Sequence, residues 1–167
     1  MTRTARKGFT LIELLVVMTI IVALAVTVFV ALNPAQRLKD ARDARRTSDV
    51  DSVLTAIHQY IVDNKGSLPA GLTSTEMQLG TSATACTIAT GGCTVVTAAC
   101  LDLTTPLVKY LKSIPVDPLA GTAAKTNYSV VSDANGIVTV RACATEGTTQ
   151  ISSSRKPSLR FITNLLQ

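Results

Sequence analysis

An uncharged apolar run near the start of the chain constrains the fold more than any other feature of this sequence. The 19 residues Leu14–Leu32 carry no charged side chain, and 20 of the 24 residues from Phe9 to Leu32 are apolar. As a helix rising ~1.5 Å per residue, the uncharged run reaches about 28 Å, close to the hydrocarbon thickness of a bilayer. The sequence therefore predicts a transmembrane helix.

This run also explains the overall composition. Of the 167 residues, 47% are apolar, 16% are charged and 4% are aromatic, with a net charge of +5. Outside residues 9–32 the chain is about as apolar as an ordinary soluble domain. The length leaves room for one small domain besides the helix, which excludes a multidomain enzyme.

Basic residues flank the apolar run on both sides. Arg3, Arg6 and Lys7 precede it, whereas five basic side chains follow it at positions 37, 39, 42, 45 and 46. Charge counting therefore leaves the orientation in the membrane open. Two simple interpretations compete: a secretory signal cut after a small-residue site such as residues 23–25, or a plain signal anchor.

Glu13 fits neither interpretation. A carboxylate at the centre of a bilayer costs roughly 2.5–3.5 kcal/mol and less towards the interface, so an acid near the start of such a helix indicates a function that involves a partner. A free α-amino group one helical turn away is a suitable partner for this carboxylate.

The residues around this acid resemble a known processing signal. Lys7-Gly8-Phe9-Thr10-Leu11-Ile12-Glu13-Leu14, followed by Leu15-Val16-Val17, resembles the class III signal of type IV prepilins and pseudopilins. The resemblance implies that a prepilin peptidase cuts between Gly8 and Phe9 on the cytoplasmic face and methylates the new amino group of Phe9. It also implies that Glu13, the fifth residue of the mature chain, pairs with the N-terminal amine of a neighbouring subunit.

The same resemblance implies a function and a location. Subunits wait in the lipid bilayer as single-pass inner-membrane proteins with the C-terminal domain outside the cytoplasm. A membrane platform protein and an assembly ATPase then extract them into a homo-oligomeric helical filament, a type IV pilus at the cell surface. The alternative within the family is a periplasmic pseudopilin of a type II secretion system. The alternative from another class is a membrane-anchored extracytoplasmic enzyme or binding domain.

An amphipathic helix is expected after the apolar run. Asn33-Pro34 interrupts the run, because Pro34 has no amide hydrogen and disfavours helical geometry at the preceding residue. From Gln36 to Asn64, apolar residues recur at helical spacing and should pack on a C-terminal sheet. These residues are Val50, Val53, Leu54, Ile57 and Ile61.

Opposite charges lie three or four residues apart in the first half of this helix. The pairs are Arg37–Asp40, Lys39–Asp43, Arg45–Asp49 and Arg46–Asp49. We interpret them as a solvated, self-paired helix face rather than an interprotomer contact or a DNA-binding patch. Loss of residues 1–8 would leave a net charge of about +2, which gives little reason to expect DNA as a partner.

The remaining chain predicts a small sheet. Residues 67–105 are rich in Ser and Thr and indicate loop or short strands, and Thr105-Pro106 begins a short helix through about Lys112. Residues 127–131 and 137–140 predict a hairpin around Asn135-Gly136, and residues 159–166 are either a last strand or a frayed end.

The predicted fold class is therefore α+β and pilin-like: a long N-terminal transmembrane and amphipathic helix packed on a small C-terminal antiparallel sheet. The predicted divisions are a leader (1–8), a transmembrane and filament-core helix (9–32), its amphipathic continuation (33–64) and a globular extracytoplasmic domain (65–167).

A second resemblance lies at Pro115-Val116-Asp117-Pro118. The segment is similar to the Pro-x-Asp-Pro loop of major pseudopilins, which bind calcium near their sheet. Calcium needs six to eight oxygen ligands, and only Asp117 and Asp133 are nearby acids in this sequence. We therefore favour a rigid turn here over a calcium site, and we assign no metal ligand and no cofactor.

Four cysteines lie in the part of the chain that is expected outside the cytoplasm. Cys86, Cys93, Cys100 and Cys143 predict two disulfide bonds, and three pairings are open. We favour Cys86–Cys93 with Cys100–Cys143. Zinc is the rival interpretation, but the spacing differs from that of structural zinc sites.

No enzymatic activity is predicted. His58 is the only histidine, and it falls beside the apolar face of the amphipathic helix. The sequence carries no motif for a nucleophile, a phosphate loop or a dinucleotide site, so we assign no catalytic residues.

Overall fold

The computed structural model describes residues 8–156, and the chain divides after Leu38 into two compact units. The first unit contains helix α1, Leu11–Leu32. Within α1 no side chain is buried, as expected for a helix that is apolar all round. The helical region near the N-terminus is long and apolar enough to cross a membrane.

The predicted interruption at Asn33-Pro34 is confirmed. Asn33 adopts a left-handed conformation (φ 40°, ψ 68°), which ends α1. Pro34 is the first residue of helix α2, Pro34–Asp63. An amide hydrogen at this position would have no partner within the helix, so its absence in proline breaks no helical hydrogen bond. The Asn33 carbonyl accepts hydrogen bonds from the amides of Gln36 and Arg37, at 3.0 and 3.3 Å, and so begins the new helix.

The apolar stripe of α2 is buried as predicted. All five apolar residues of the predicted stripe are at most 2% exposed. Helix α2 ends in the turn after Asp63, where Lys65 and Gly66 both have positive φ and the Gly66 amide donates to the Ile61 carbonyl at 2.8 Å. Glycine accepts this left-handed geometry without a steric penalty, which explains why the helix stops there.

Within the described residues, the second unit has one four-stranded antiparallel sheet, in the order β1-β2-β3-β4. The strands are β1 (Met77–Gln78), β2 (Tyr128–Ser132), β3 (Val138–Ala142) and β4 (Ser152–Arg155). Strands β2 and β3 form the predicted hairpin, with Val130 opposite Val140. In the turn of this hairpin, the amides of Asn135 and Ile137 donate to the Asp133 carboxylate, and Gly136 has a φ of 76°.

One face of this sheet and the stripe of α2 form the core. Alternate residues of β2 and β3 point to the same face and are fully buried, as period-two strands require. They pack with α2 and with Leu79, Leu103 and Leu107. The sheet residues in this core are Tyr128, Val130, Val138, Val140 and Ala142.

Several elements differ from the prediction. Helix α3 is only Thr104–Leu107, because the chain continues from Val108 in turns, with the Tyr110 and Leu111 amides both bonded to the Leu107 carbonyl. Strand β1 lies in the stretch predicted as loop or short strands, but the sequence pattern did not locate it, and it gave no indication of β4. The predicted last strand or frayed end at 159–166 lies outside the described residues.

Candidate processing and assembly site

The first turn of α1 closes a reciprocal capping box between Thr10 and Glu13. The Glu13 amide donates to Thr10 Oγ1 at 3.3 Å, and Glu13 Oε2 accepts from both the amide and the hydroxyl of Thr10, at 2.8 Å each. A Thr with a Glu three residues later is the sequence pattern for this cap. The local sequence therefore fixes where α1 begins and holds the Glu13 carboxylate beside the residue that follows Phe9.

The peptide bond between Gly8 and Phe9 lies just before this cap. Residues 8–10 are outside the helix and exposed, and the Phe9 side chain is 83% exposed. A Cβ built on Gly8 would meet no atom within 4 Å. This bond is therefore in non-helical, sterically open backbone, the state in which a peptide bond is accessible to a protease.

The surroundings of Glu13 are apolar. The carboxylate shares a shallow surface depression with Phe9, Ile12, Val16 and Val17. Cleavage before Phe9 would create an ammonium group one helical turn from this carboxylate. Each charge is costly to hold in apolar surroundings alone and much less costly as a pair, so the arrangement favours binding of an amine.

A buried ionic cluster lies on α2, where the sequence analysis expected a solvated face. Arg46 is 0% exposed, so that interpretation is wrong for this residue. The predicted Arg45–Asp49 pair is present, at 3.7 Å, whereas Arg46 has other partners. The guanidinium of Arg46 pairs with Asp117 at 2.6 Å, Asp43 at 2.7 Å and Glu146 at 3.2 Å. We refer to these four residues together with Arg42, which also pairs with Glu146, as the Arg46 cluster.

The cluster holds its carboxylates in the charged form. Hydrogen bonds from Arg42 and then Arg46 lower the pKa of Glu146 to about 2 against the cost of burial. Burial alone would raise the pKa of Asp117, but hydrogen bonds from Arg46 and from the amides of Ala120 and Leu119 hold it below its ordinary value. The pKa of Asp43 is also lowered, because hydrogen bonds from Arg46 and two amides outweigh burial.

This environment does not fit a calcium ion at the Pro-x-Asp-Pro loop. Asp117 Oδ1 accepts from the amides of Leu119 and Ala120 at 2.9 and 3.0 Å, and both carboxylate oxygens face Arg46. A guanidinium therefore stands where a metal would need to bind. Asp133, the other acid considered, caps the hairpin turn, and residues 8–156 contain no cluster of three or more metal-ligating side chains.

The four cysteines form two disulfide bonds, but the favoured pairing is wrong. The bonds are Cys86–Cys100 and Cys93–Cys143, with Cα–Cα distances of 5.3 and 5.4 Å. The cause is a small hairpin-like loop in which Ile88 and Val95 exchange backbone hydrogen bonds at 3.0 and 2.9 Å. This backbone pairing brings together the two ends of the loop, where Cys86 and Cys100 form the first disulfide bond.

The tip of the same loop lies against the end of β3. Thr90 Oγ1 donates to the Cys143 carbonyl at 2.6 Å, and a Cβ on Gly91 would clash with the Cys143 backbone. Cys93 therefore meets Cys143 rather than its neighbour in sequence, Cys86. Glycine at position 91, with a φ of 58°, permits both the turn and the close approach.

His58 is half-buried on α2, beside the apolar stripe. Burial lowers its pKa, and a hydrogen bond to the Arg155 backbone offsets this only in part. The imidazole is therefore neutral at neutral pH. Its Nε2 atom is buried without a hydrogen-bond partner in the described part of the chain.

The fold and the N-terminal sequence are both similar to those of one class of protein. A long apolar N-terminal helix with a four-stranded antiparallel sheet is a pilin-like α+β arrangement. Residues 3–29 match the family model described as the prokaryotic N-terminal methylation motif, which is the signature of type IV pilins and pseudopilins. The N-terminal segment therefore carries the signature of type IV pilins and pseudopilins, and its apolar helix fits a membrane anchor. No curated protein and no solved structure matched it.

Proposed function

We propose that the chain is a prepilin, a structural subunit that a prepilin peptidase cleaves between Gly8 and Phe9 and methylates on the new amino group. The mature subunit then polymerises into a type IV pilus filament. The observation that carries this proposal is the Thr10–Glu13 capping box directly after the Gly8–Phe9 bond, within the matched methylation motif.

The chemistry of processing follows from these positions. Water adds to the Gly8 carbonyl carbon, the bond to the Phe9 nitrogen breaks, and Gly8 leaves with a carboxylate while Phe9 gains an ammonium group. A sulfonium methyl donor then transfers its methyl group to this nitrogen, which loses a proton. A methylated amine keeps its positive charge and therefore remains a partner for the Glu13 carboxylate of a neighbouring subunit.

The proposal assigns a role to each part of the chain. Residues 1–8 are the leader, 9–32 the membrane anchor and filament core, 33–64 the amphipathic continuation, and 65–167 the domain outside the cytoplasm. The partners are the lipid bilayer before assembly, then the prepilin peptidase, a membrane platform protein, an assembly ATPase and further copies of the chain. We propose no enzymatic activity, no cofactor and no DNA binding.

Mass spectrometry of the mature N-terminus, combined with electron microscopy of surface filaments, tests this function. The expected result is a chain that begins with methylated Phe9 and is present in the filaments. A Gly8→Leu variant is the matched control, because a side chain next to the cleaved bond should retain the leader. A chain that still begins at Met1 and carries no methyl group would contradict the proposal.

A pseudopilin of a type II secretion system is the second candidate. The Pro115–Pro118 loop, which resembles that of major pseudopilins, supports this candidate. Two observations favour a pilus subunit instead: the Asp117 carboxylate binds Arg46, which leaves no place for calcium, and the domain has two disulfide bonds. Deletion of the gene separates the two, since loss of surface filaments indicates a pilin and loss of protein secretion indicates a pseudopilin. A membrane-anchored enzyme or binding domain, the remote alternative, would retain its leader or function without Glu13.

A further inference from the structure

The two disulfide bonds of the domain interleave along the sequence. Cys86 pairs with Cys100 and Cys93 pairs with Cys143, so each bond encloses one cysteine of the other. The sequence contains four cysteines, and these two bonds use all of them. No cysteine is therefore bonded to the cysteine nearest to it in sequence.

An unfolded chain favours other pairs. Cys93 lies seven residues from both Cys86 and Cys100, whereas the native bonds have sequence separations of 14 and 50. Closure probability falls with about the three-halves power of loop length, so a bond across seven residues is favoured roughly threefold over 14 and roughly twentyfold over 50. Gly91 and Gly92 keep the loop from Cys86 to Cys93 flexible. Oxidation before folding therefore captures Cys93 in a non-native bond.

The native bonds depend on contacts of the folded domain. Cys86 lies at the base of the hairpin-like loop of residues 86–100, where its amide donates to the Ala98 carbonyl at 2.9 Å. Cys93 lies at the tip of this loop, where its amide donates to the Thr90 carbonyl at 2.9 Å. A Cys86–Cys93 bond would pull the base onto the tip and break the backbone pairing between them. Cys143 meets Cys93 only when this tip packs on the end of β3.

Packing of the domain closes access to these sulfur atoms. Cys86 and Cys143 are 0% exposed and Cys93 is 2% exposed, whereas Cys100 is half-buried. Exchange of a disulfide bond needs a thiolate that reaches one of its sulfurs, so rearrangement has to precede packing. A chain in which all four cysteines are bonded has no thiol of its own. Rearrangement of such a chain therefore needs an external thiolate.

We propose that the native pairing is reached by thiol–disulfide exchange and that the chain is a substrate of a dithiol isomerase outside the cytoplasm. The catalyst recognises an unfolded chain in which Cys93 is bonded to a neighbouring cysteine. The inference rests on the proposed location of residues 65–167 outside the cytoplasm, but not on the formation of filaments.

The exchange is balanced without a net oxidant. The catalyst thiolate attacks the Cys93 sulfur of a Cys86–Cys93 bond, forms a mixed disulfide and releases the Cys86 thiolate. This thiolate attacks Cys100 in a Cys100–Cys143 bond, which forms the native Cys86–Cys100 bond and releases the Cys143 thiolate. The Cys143 thiolate then attacks Cys93 in the mixed disulfide, which forms the native Cys93–Cys143 bond and returns the catalyst thiolate.

Peptide mapping without reduction tests the exchange step on the full chain in detergent. The reduced chain is unfolded in urea, oxidised until no thiol remains and diluted from urea with or without catalytic amounts of a reduced dithiol isomerase. Without the isomerase, we expect non-native bonds of Cys93 to persist. With it, native peptides should appear at least about tenfold faster.

The same isomerase with its thiols alkylated controls for assistance that does not involve exchange, and it should have no effect. Native pairing that appears as fast without the isomerase, or as fast with its alkylated form, would overturn the proposal.

A double variant, Cys86→Ser with Cys100→Ser, is the matched control. It retains Cys93 and Cys143, which can form only one intramolecular bond, so no exchange is required. We expect the isomerase to leave the peptide map of this variant unchanged. The map reads the bond itself, so the test does not require the variant to be as stable as the native domain. If the variant needed the isomerase as much as the native chain does, the exchange step would be refuted.

Cells without dithiol isomerases test the cellular partner. We expect the membrane-bound chain in these cells to carry a bond from Cys93 to Cys86 or to Cys100. Native pairing in these cells would overturn the partner alone. Four free thiols in normal cells would overturn the partner together with the proposed location, so the two failures are distinguishable.

Discussion

The guanidinium of Arg46 donates to both carboxylate oxygens of Asp117, at 2.6 and 3.2 Å, across a sequence separation of 71 residues. Both side chains are 0% exposed. This contact joins α2 to the loop after Pro115, and Glu146 joins the same guanidinium from the region after β3. One arginine therefore ties together three parts of the chain that are distant in sequence.

Replacement of Arg46 by Met should lower the free energy of unfolding by about 3–5 kcal/mol, because it leaves the Asp117 carboxylate buried without its partner. Urea unfolding of the full chain in detergent, followed by near-ultraviolet circular dichroism of the buried Tyr128, measures the change. Arg45→Met is the matched control: Arg45 is 60% exposed and its pair with Asp49 should contribute less than about 1 kcal/mol.

The double variant Arg46→Met, Asp117→Asn should recover part of the loss, since the stranded charge is gone. If Arg46→Met and Arg45→Met destabilised the domain equally, the Arg46 cluster would have no special role in stability.

Acid should weaken the domain through the Arg46 cluster. Asp43, Asp117 and Glu146 all have lowered pKa values, so each contributes stability that is fully present above its unfolded pKa and is lost as the pH falls through its folded pKa. For Glu146 the window runs from its ordinary value of 4.5 down to about 2. Thermal melts between pH 7 and pH 2 should show a falling midpoint in this range.

The Arg46→Met variant is the control for this acid dependence. Its melting temperature should fall less steeply with pH, because the pKa values of Asp43 and Asp117 return towards ordinary ones. Parallel curves for the two proteins would show that other carboxylates cause the acid sensitivity.

Glu13→Ala should leave membrane insertion and leader removal intact but strongly reduce the yield of filaments. The variant removes the carboxylate proposed to pair with the amine of a neighbouring subunit, while the apolar run remains. Immunoblots of membranes report processing, and electron microscopy reports filaments. Glu13→Gln separates the effect of the charge from that of hydrogen bonding, since glutamine preserves the size and polarity of the side chain but not its negative charge. A normal filament yield from both Glu13→Ala and Glu13→Gln would refute the pairing role of Glu13.

The two disulfide bonds should contribute unequally to stability. Cys93–Cys143 closes a loop with a sequence separation of 50 and Cys86–Cys100 one of 14, so replacement of each pair by serines should cost about 4 and about 3 kcal/mol, respectively. Urea unfolding of the two variants measures the difference. Peptide mapping without reduction checks the pairing itself, and a Cys86–Cys93 peptide would contradict the structure.

The sequence predicted the elements whose pattern is local. The helix of the apolar run follows from composition and length, whereas the stripe of α2 and the β2–β3 hairpin follow from periodicity within one segment, and all three are confirmed. The Arg46 cluster was missed because charge spacing along a helix does not reveal a partner 71 residues away. A signal was nevertheless present: Arg46 lies four residues before Val50 and seven before Val53, on the same face as the buried stripe.

The disulfide pairing was predicted wrongly and β4 was not predicted, because both depend on contacts between segments rather than on a local pattern. The loop containing Ile88 and Val95 lacks an alternating pattern, so its hairpin-like pairing, which decides which cysteines meet, was not visible. Strand β4 reads Ser152-Ser153-Ser154-Arg155, a composition that does not favour a strand. It is a strand because β3 offers an edge with which it can pair.

A helix without a buried face, as α1 is, has no preferred side. Lipid tails are as apolar as leucine, so such a helix gains little hydrophobic free energy when other helices replace the lipid around it. In the proposed filament, apolar contact alone would therefore let α1 slide or rotate among its neighbours. The axial register would depend on the single charged side chain of α1, Glu13, and a missing carboxylate would leave neighbouring subunits free to settle at variable heights.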